Sequence, residues 1–289
     1  MSNRSVNPNN EIKGKSFGVW GSFITQKSKT DNDNNIKGFD SKTYGFIVGI
    51  DKALDENADT SIGIAAGITR SSLDEKYDTR ANADIDSYHV GIYADHRIQN
   101  WILRAGGVYS WNRVDASRTA ASSTLSDKYD VQTRQLFTEL GYNMALADLE
   151  LEPFINLAYV NVKADSINED HTSSVGLTAD KQSKNLFLST VGARLTKYWT
   201  TSTGNTILFK NELGWLHQFN QDRQYDLSLT QGTTPFTIQS VATSKNGLLI
   251  KPSLAFKTTN NIEFSAGYSG LLSSNVKNHG LNLNVSWQF

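Results

Sequence analysis

The sequence predicts an all-β chain: a 12-stranded antiparallel transmembrane β-barrel with short periplasmic turns and long extracellular loops. Three observations carry that prediction. Apolar and polar residues alternate with period two along twelve segments. The connections between segments alternate short and long. The last segment, LNLNVSWQF, keeps the alternation to the final residue, Phe289. Period two places successive side chains on opposite faces of a sheet, and chain ends are ordinarily frayed and polar.

The first segment covers Phe17 to Gln26 and has mixed parity, so its faces stay unassigned. In the second, Phe46, Val48 and Ile50 share a face. The third carries Ile62, Ile64, Ala66 and Ile68, and the fourth Tyr88, Val90, Ile92 and Ala94. Leu103, Ala105, Gly107, Tyr109 and Trp111 form the fifth face, opposite Arg104. Leu136, Leu140, Tyr142 and Met144 form the sixth, opposite Glu139. In the seventh, Leu151, Ile155, Leu157 and Tyr159 oppose Glu152. The eighth, Leu186 to Lys197, is again mixed. The ninth sets Phe209, Leu213 and Trp215 against Lys210 and Glu212, with Asn211 interrupting the apolar face. Leu248, Ile250, Leu254 and Phe256 oppose Lys251 in the tenth, and Ile262, Phe264, Ala266 and Tyr268 oppose Glu263 in the eleventh. Leu281, Leu283, Val285, Trp287 and Phe289 line the twelfth. Twelve is even, as a single-chain bacterial barrel requires.

The short connections are DENAD, a turn around Asn100, Ala147-Asp148, TTSTGN and TTNN, all of hairpin length. The long ones are QKSKTDNDNNIKGFDSK, LDEKYDTRANA, DASRTAASSTLSD, SINEDHTSSVG and RQYDLSLTQGTTP. With an even strand count, both termini fall on the periplasmic side and Phe289 on the inner aromatic girdle.

Composition bounds the function classes. Net charge is −1, so no nucleic-acid partner is expected. There is no cysteine, which removes disulfides and thiolate metal sites. No run nears 18 apolar residues, so no transmembrane helix is expected, and residues 1–15 lack the apolar core of a secretory signal. A barrel is compatible with the mean hydropathy of −0.43, because its lipid face and lumen face average out. Closure follows from the backbone: in hydrocarbon an unpaired N–H or C=O costs several kcal/mol. A soluble β-sandwich is the competing fold, but several segments are longer than its usual strands of five to six residues.

On the polar faces, Arg104, Glu139, Glu152, Lys210, Glu212, Lys251 and Glu263 require a wet or helix-plugged lumen. The search for catalytic chemistry finds no assembled site. His217 with Asp222, His279, His171 and the His89/Asp95 pair yield no triad, so no catalytic residue is assigned. DNDNN, at 31–35, lacks the spacing of a calcium loop. No metal and no cofactor are expected.

Four short motifs occur in order: Glu152-Pro153, Gly214-Trp215-Leu216-His217, Gly267-Tyr268-Ser269-Gly270 and the final Phe289. GVWGSFITQ and YGFIVGID precede them. With these motifs the chain resembles the translocator β-domain of autotransporters (type V secretion) over residues 16–289. The Asn/Lys-rich loops resemble the β-peptide of rickettsial surface antigens of the outer-membrane protein B type. The resemblance implies a non-enzymatic, integral outer-membrane translocator that exports and anchors its own N-terminal passenger, a surface antigen or adhesin. It divides the chain into residues 1–15, a linker remnant or tag-adjacent segment entering the lumen, and the barrel at 16–289. It implies that Leu281, Leu283, Val285, Trp287 and Phe289 are the insertion signal read by the barrel-assembly machinery, and then face the bilayer. The inward arginines and carboxylates would hold a linker helix or hydrate the passing chain. The alternative function is a passive pore or adhesin with ligand-binding external loops.

Overall fold

The computed structural model describes residues 17–33, 36–76, 81–146, 149–169, 173–220, 223–232, 234–241 and 244–289. Twelve long strands make the barrel wall: β1 (Phe17–Thr30), β2 (Phe39–Ala53), β3 (Thr60–Glu75), β4 (Ala81–Ile98), β5 (Trp101–Ala120), β6 (Ser123–Tyr142), β8 (Leu149–Ala164), β11 (Gln182–Thr200), β12 (Thr206–Gln218), β15 (Asn246–Lys257), β16 (Ile262–Ser273) and β17 (Val276–Gln288). β7 (Met144–Leu146) continues β6 past Asn143 and pairs with β8. Each wall strand is antiparallel to its neighbours, and β11 also pairs with β8, so the sheet has no free edge.

The closing seam lies between β1 and β17. Its ladder runs from Gly18 opposite Gln288 to Thr30 opposite Val276. Beyond it Phe17 and Phe289 exchange backbone hydrogen bonds of 2.9 and 3.0 Å, and their rings stack at 6.4 Å. The alternation that runs to the last residue therefore completes a sheet, so the C-terminus is held on both edges instead of fraying.

The apolar parity faces outward. Phe46, Val48, Ile50, Ile64, Val90, Ile92, Leu136, Ile155, Leu213, Leu254 and Phe264 are all exposed large hydrophobics. An inside-out distribution of this kind is stable only against hydrocarbon. The mixed segments now resolve. In β1, Phe17, Val19 and Phe23 point outward, while Trp20 points in and donates from Nε1 to the Tyr93 hydroxyl at 2.7 Å. In β11, Phe187, Val191 and Trp199 point outward, and Arg194 points in.

Large interior aromatics lie over glycines of neighbouring strands. A Cβ on Gly63 would stand 2.2 Å from the Tyr93 ring, and one on Gly106 would stand 2.6 Å from Phe137. Gly63→Ala should force Tyr93 off its bonds to Trp20 and Asp51 and cost about 1–3 kcal/mol. Urea unfolding with tryptophan emission checks it; unchanged midpoint and emission would contradict the contact.

Several connections differ from the expected pattern. DASRTAASSTLSD is almost all strand: β5 and β6 run to a two-residue turn at Ala121 and Ser122, whose φ values are 47° and 67°. Both φ positive is the type I′ geometry that matches strand twist. β3 and β4 likewise extend into LDEKYDTRANA, to Glu75 and from Ala81. Beyond the bilayer both faces of a strand meet water, so alternation disappears while backbone pairing continues. Two of the remaining three long connections, with the residues that follow them, carry β9 (Ile167–Asn168), β10 (Leu177–Ala179), β13 (Gln224–Leu229) and β14 (Phe236–Gln239), which form a separate four-stranded sheet. At the opposite end, the Asp55 carboxylate accepts backbone N–H bonds from Asp59 and Thr60 at 2.8 and 2.7 Å. These bonds, the Asp59 one foremost, hold its carboxyl below the ordinary range.

Candidate functional site: the lumen and the closing strand

Six adjacent strands bring six charged side chains together inside the barrel. The Arg104 guanidinium donates to Glu139 at 2.8 Å and to Glu152 at 2.6 and 3.1 Å. Arg194 reaches three carboxylates: Glu139 at 2.8 Å through two nitrogens, Glu152 at 2.7 Å and Glu212 at 2.6 Å. Lys251 completes the chain at 2.9 Å from Glu212. The ladder explains the meeting: Arg104 lies opposite Glu139, Arg194 opposite both Glu152 and Glu212, and Glu212 opposite Lys251. Three cations and three carboxylates balance, and the bidentate forks suit arginine's planar geometry. Arg194 also packs over the Phe154 ring at 4.0 Å.

Of the seven lumen-facing polar residues expected, Arg104, Glu139, Glu152, Glu212 and Lys251 belong to this network. Lys210 lies nearby, within electrostatic reach of Glu263 and Glu150. Glu263 is buried opposite a buried Lys257. Arg194, the hub, was missing from the expected set because its segment had no clear parity. Glu150, whose carboxylate accepts from the Tyr198 hydroxyl at 3.0 Å, was missed for want of a marked alternation at the strand start.

On the outer surface, a groove of about 1090 Å³ crosses β1–β6 and β17 between two rows of outward side chains that include Val48, Ile50, Ile64, Val90, Ile92 and Trp287.

Among the described residues, His89, His217 and His279 bond hydroxyl or amide groups and no carboxylate. His89 bonds Thr69 at 2.9 Å and Ser110 at 2.7 Å, both hydroxyls. Asp95 instead accepts from Ser61. His217 bonds Asn246 at 2.8 Å and packs between Trp215, tilted, and Phe219, edge-on, on the outward face. His279 bonds Tyr268 at 2.5 Å, also outward. His171 and Asp222 lie outside the described residues, as do residues 1–15 and part of DNDNN. Among the described residues no three potential metal ligands cluster.

On the closing strand, Leu281, Leu283, Val285, Trp287 and Phe289 form one outward stripe, 43 to 60% exposed. Asn282, Asn284 and Ser286 alternate with them toward the lumen, and Asn284 donates to Ser265 at 3.0 Å.

A family model described as the autotransporter β-domain matches residues 19–269. The chain belongs to the autotransporter β-domain family. An extracellular serine protease of Serratia marcescens is 35% identical over 284 residues, 96% of this chain and 27% of the relative. Outer membrane protein B of Rickettsia prowazekii is 23% identical over 95% of the chain and 17% of its own length. The chain thus spans about a quarter or less of the curated relatives it matches. Among solved structures, the translocator domain of NalP from Neisseria meningitidis superposes with a TM-score of 0.75 at 19% identity, covering 96% of this chain and 90% of that one. The β-domain of the Bordetella autotransporter BrkA gives 0.74 at 15% identity over 95% and 100%. These autotransporter β-domains share the closed twelve-stranded wall, and the chain is an integral outer-membrane translocator barrel of that family.

Proposed function

We propose that this barrel exports and anchors a passenger encoded N-terminal to it on the same chain, with its own termini in the periplasm, and that it performs no chemistry. The observation that supports the reading is the charge-balanced Arg/Glu/Lys network lining the inside of the closed wall. This neutral network can exchange hydrogen bonds with the polar groups of a passing chain without fixing a net charge. The protease named in the Serratia relatives would belong to the three quarters of their length that this chain does not match.

The outward stripe Leu281, Leu283, Val285, Trp287 and Phe289 is proposed to serve twice. Before insertion it is presented to the barrel-assembly machinery as an unpaired strand, where backbone bonds give affinity and alternate side chains give specificity. After insertion it meets lipid. Phe289→Ser should lower the amount of barrel recovered in the outer membrane several-fold while leaving synthesis unchanged, as read by membrane fractionation.

Export is tested by placing a signal peptide and a reporter passenger ahead of residue 17 and treating intact cells with protease. Cleavage of the reporter from outside supports the reading. A protected reporter beside a correctly inserted barrel would reject it and leave a passive pore.

A further inference from the structure

The outward face of the closing seam changes character at one level on three adjacent strands. Below it β1 presents Phe17, Val19 and Phe23, β2 presents Phe46, Val48 and Ile50, and β17 presents Leu281 to Phe289. Above it, on the same parity, stand Lys27 and Lys29, Lys42, and Lys277 with His279, all exposed. Tyr44 and Tyr268 lie at the boundary, where interfacial aromatics collect.

The register sets like charges against each other. Lys27 is directly opposite Lys42 on one side and His279 on the other, while Lys29 stands between Lys277 and Asp40. Directly opposed like charges destabilise a sheet. Two carboxylates nearby, Asp31 and Asp40, both pair with Lys76, at 2.9 and 3.7 Å, although Asp31 also feels the charges of Lys277 and Lys29. Among the described residues, no carboxylate lies within ion-pair distance of Lys27, Lys29, Lys42 or Lys277. The rest of the same rim is built oppositely. There Arg70 pairs with Asp86 at 2.7 Å, Lys128 with Asp115 at 2.6 Å and Arg113 with Asp130 at 4.0 Å. The seam rim thus concentrates four lysines that make no ion pair among the described residues, a surplus of positive charge on one outward patch.

We propose that this seam rim binds the phosphate-bearing headgroup of an anionic lipid in the leaflet facing the long loops. The lysines sit where the acyl region ends, so a headgroup phosphate comes level with them while its chains lie along Val19, Phe23, Leu281 and Leu283. Naming that leaflet as the outer one rests on the orientation proposed above; the binding itself does not. Neutralising the opposed lysines would strengthen the β1–β17 seam, where the barrel closes.

The test titrates the purified barrel in neutral detergent with diphosphoryl lipid A, with the same lipid stripped of phosphate, and with inorganic phosphate, counting adducts by native mass spectrometry. The diphosphoryl lipid should bind preferentially. Each lysine removed should weaken it on the order of fivefold, so that a Lys27→Gln, Lys42→Gln, Lys277→Gln triple variant loses on the order of a hundredfold. Lys128→Gln, on the ion-paired part of the rim, should change nothing. If the triple variant fails to fold, judged by its mobility on an unheated gel, Lys27→Gln and Lys277→Gln alone carry the comparison. Equal binding by parent and variants, equal binding of the dephosphorylated lipid, or full competition by inorganic phosphate at matched concentration would each overturn the proposal. None of those outcomes touches the translocator reading, which the protease experiment addresses separately.

Discussion

Replacing Arg194 with alanine should destabilise the barrel by about 3–5 kcal/mol, the usual cost of removing one partner from a buried ionic group. Arg194 is 23% exposed and supplies the positive charge to Glu139, which is only 4% exposed, as well as to Glu152 and Glu212. Without it three carboxylates share Arg104 and Lys251, and their mutual repulsion acts in a poorly hydrated space. Arg194→Lys should recover only part of the loss, because one ammonium cannot serve three carboxylates bidentately. Adding Glu139→Gln to Arg194→Ala should restore some stability, since it deletes the most buried unpaired charge. Urea unfolding of lipid-reconstituted protein gives all three values; an alanine variant within about 1 kcal/mol of the parent would mean the network is solvated and contributes little.

The second large effect separates two neighbouring residues of the closing strand. Leu283 is 59% exposed on the outward stripe, and Asn284 is on the lumen face. Leu283→Arg should cost about 2–4 kcal/mol if the residue lies near the bilayer midplane, and Asn284→Arg much less, because the lumen can hydrate the charge. The same unfolding assay checks both. Equal costs would mean that the two faces meet the same medium, which no membrane-spanning barrel allows.

Most of this architecture is legible in the sequence because the bilayer imposes a strict rule: outward residues must be apolar, inward ones are free to be polar. Where both media contribute fully, as in LNLNVSWQF, strand and face are read off directly. Where the rule weakens, so does the reading. β1 places Trp20 inside to bond Tyr93, and β11 carries Leu186 and Leu188 on the lumen parity near the long-loop end. Each disrupts the alternation, which is why Arg194 escaped notice although it makes more ionic contacts than any residue expected in the lumen. Above the membrane, β5 and β6 continue to Ala120 and from Ser123 with no apolar face to mark them. The small sheet of β9, β10, β13 and β14, with strands of two to six residues, is held partly by Arg118, which donates to Glu169 at 2.8 and 2.6 Å. No local pattern encodes a pairing between residues that far apart.

The most direct measurement uses the tryptophans. Trp101, Trp111, Trp199, Trp215 and Trp287 are exposed on the outer surface, and Trp20 alone is turned inward onto Tyr93. Single-tryptophan variants reconstituted in brominated phospholipid should show strong quenching for Trp215 and Trp287 and almost none for Trp20. Strong quenching of Trp20, or none for Trp215 and Trp287, would contradict a closed wall with lipid outside and a polar bore within.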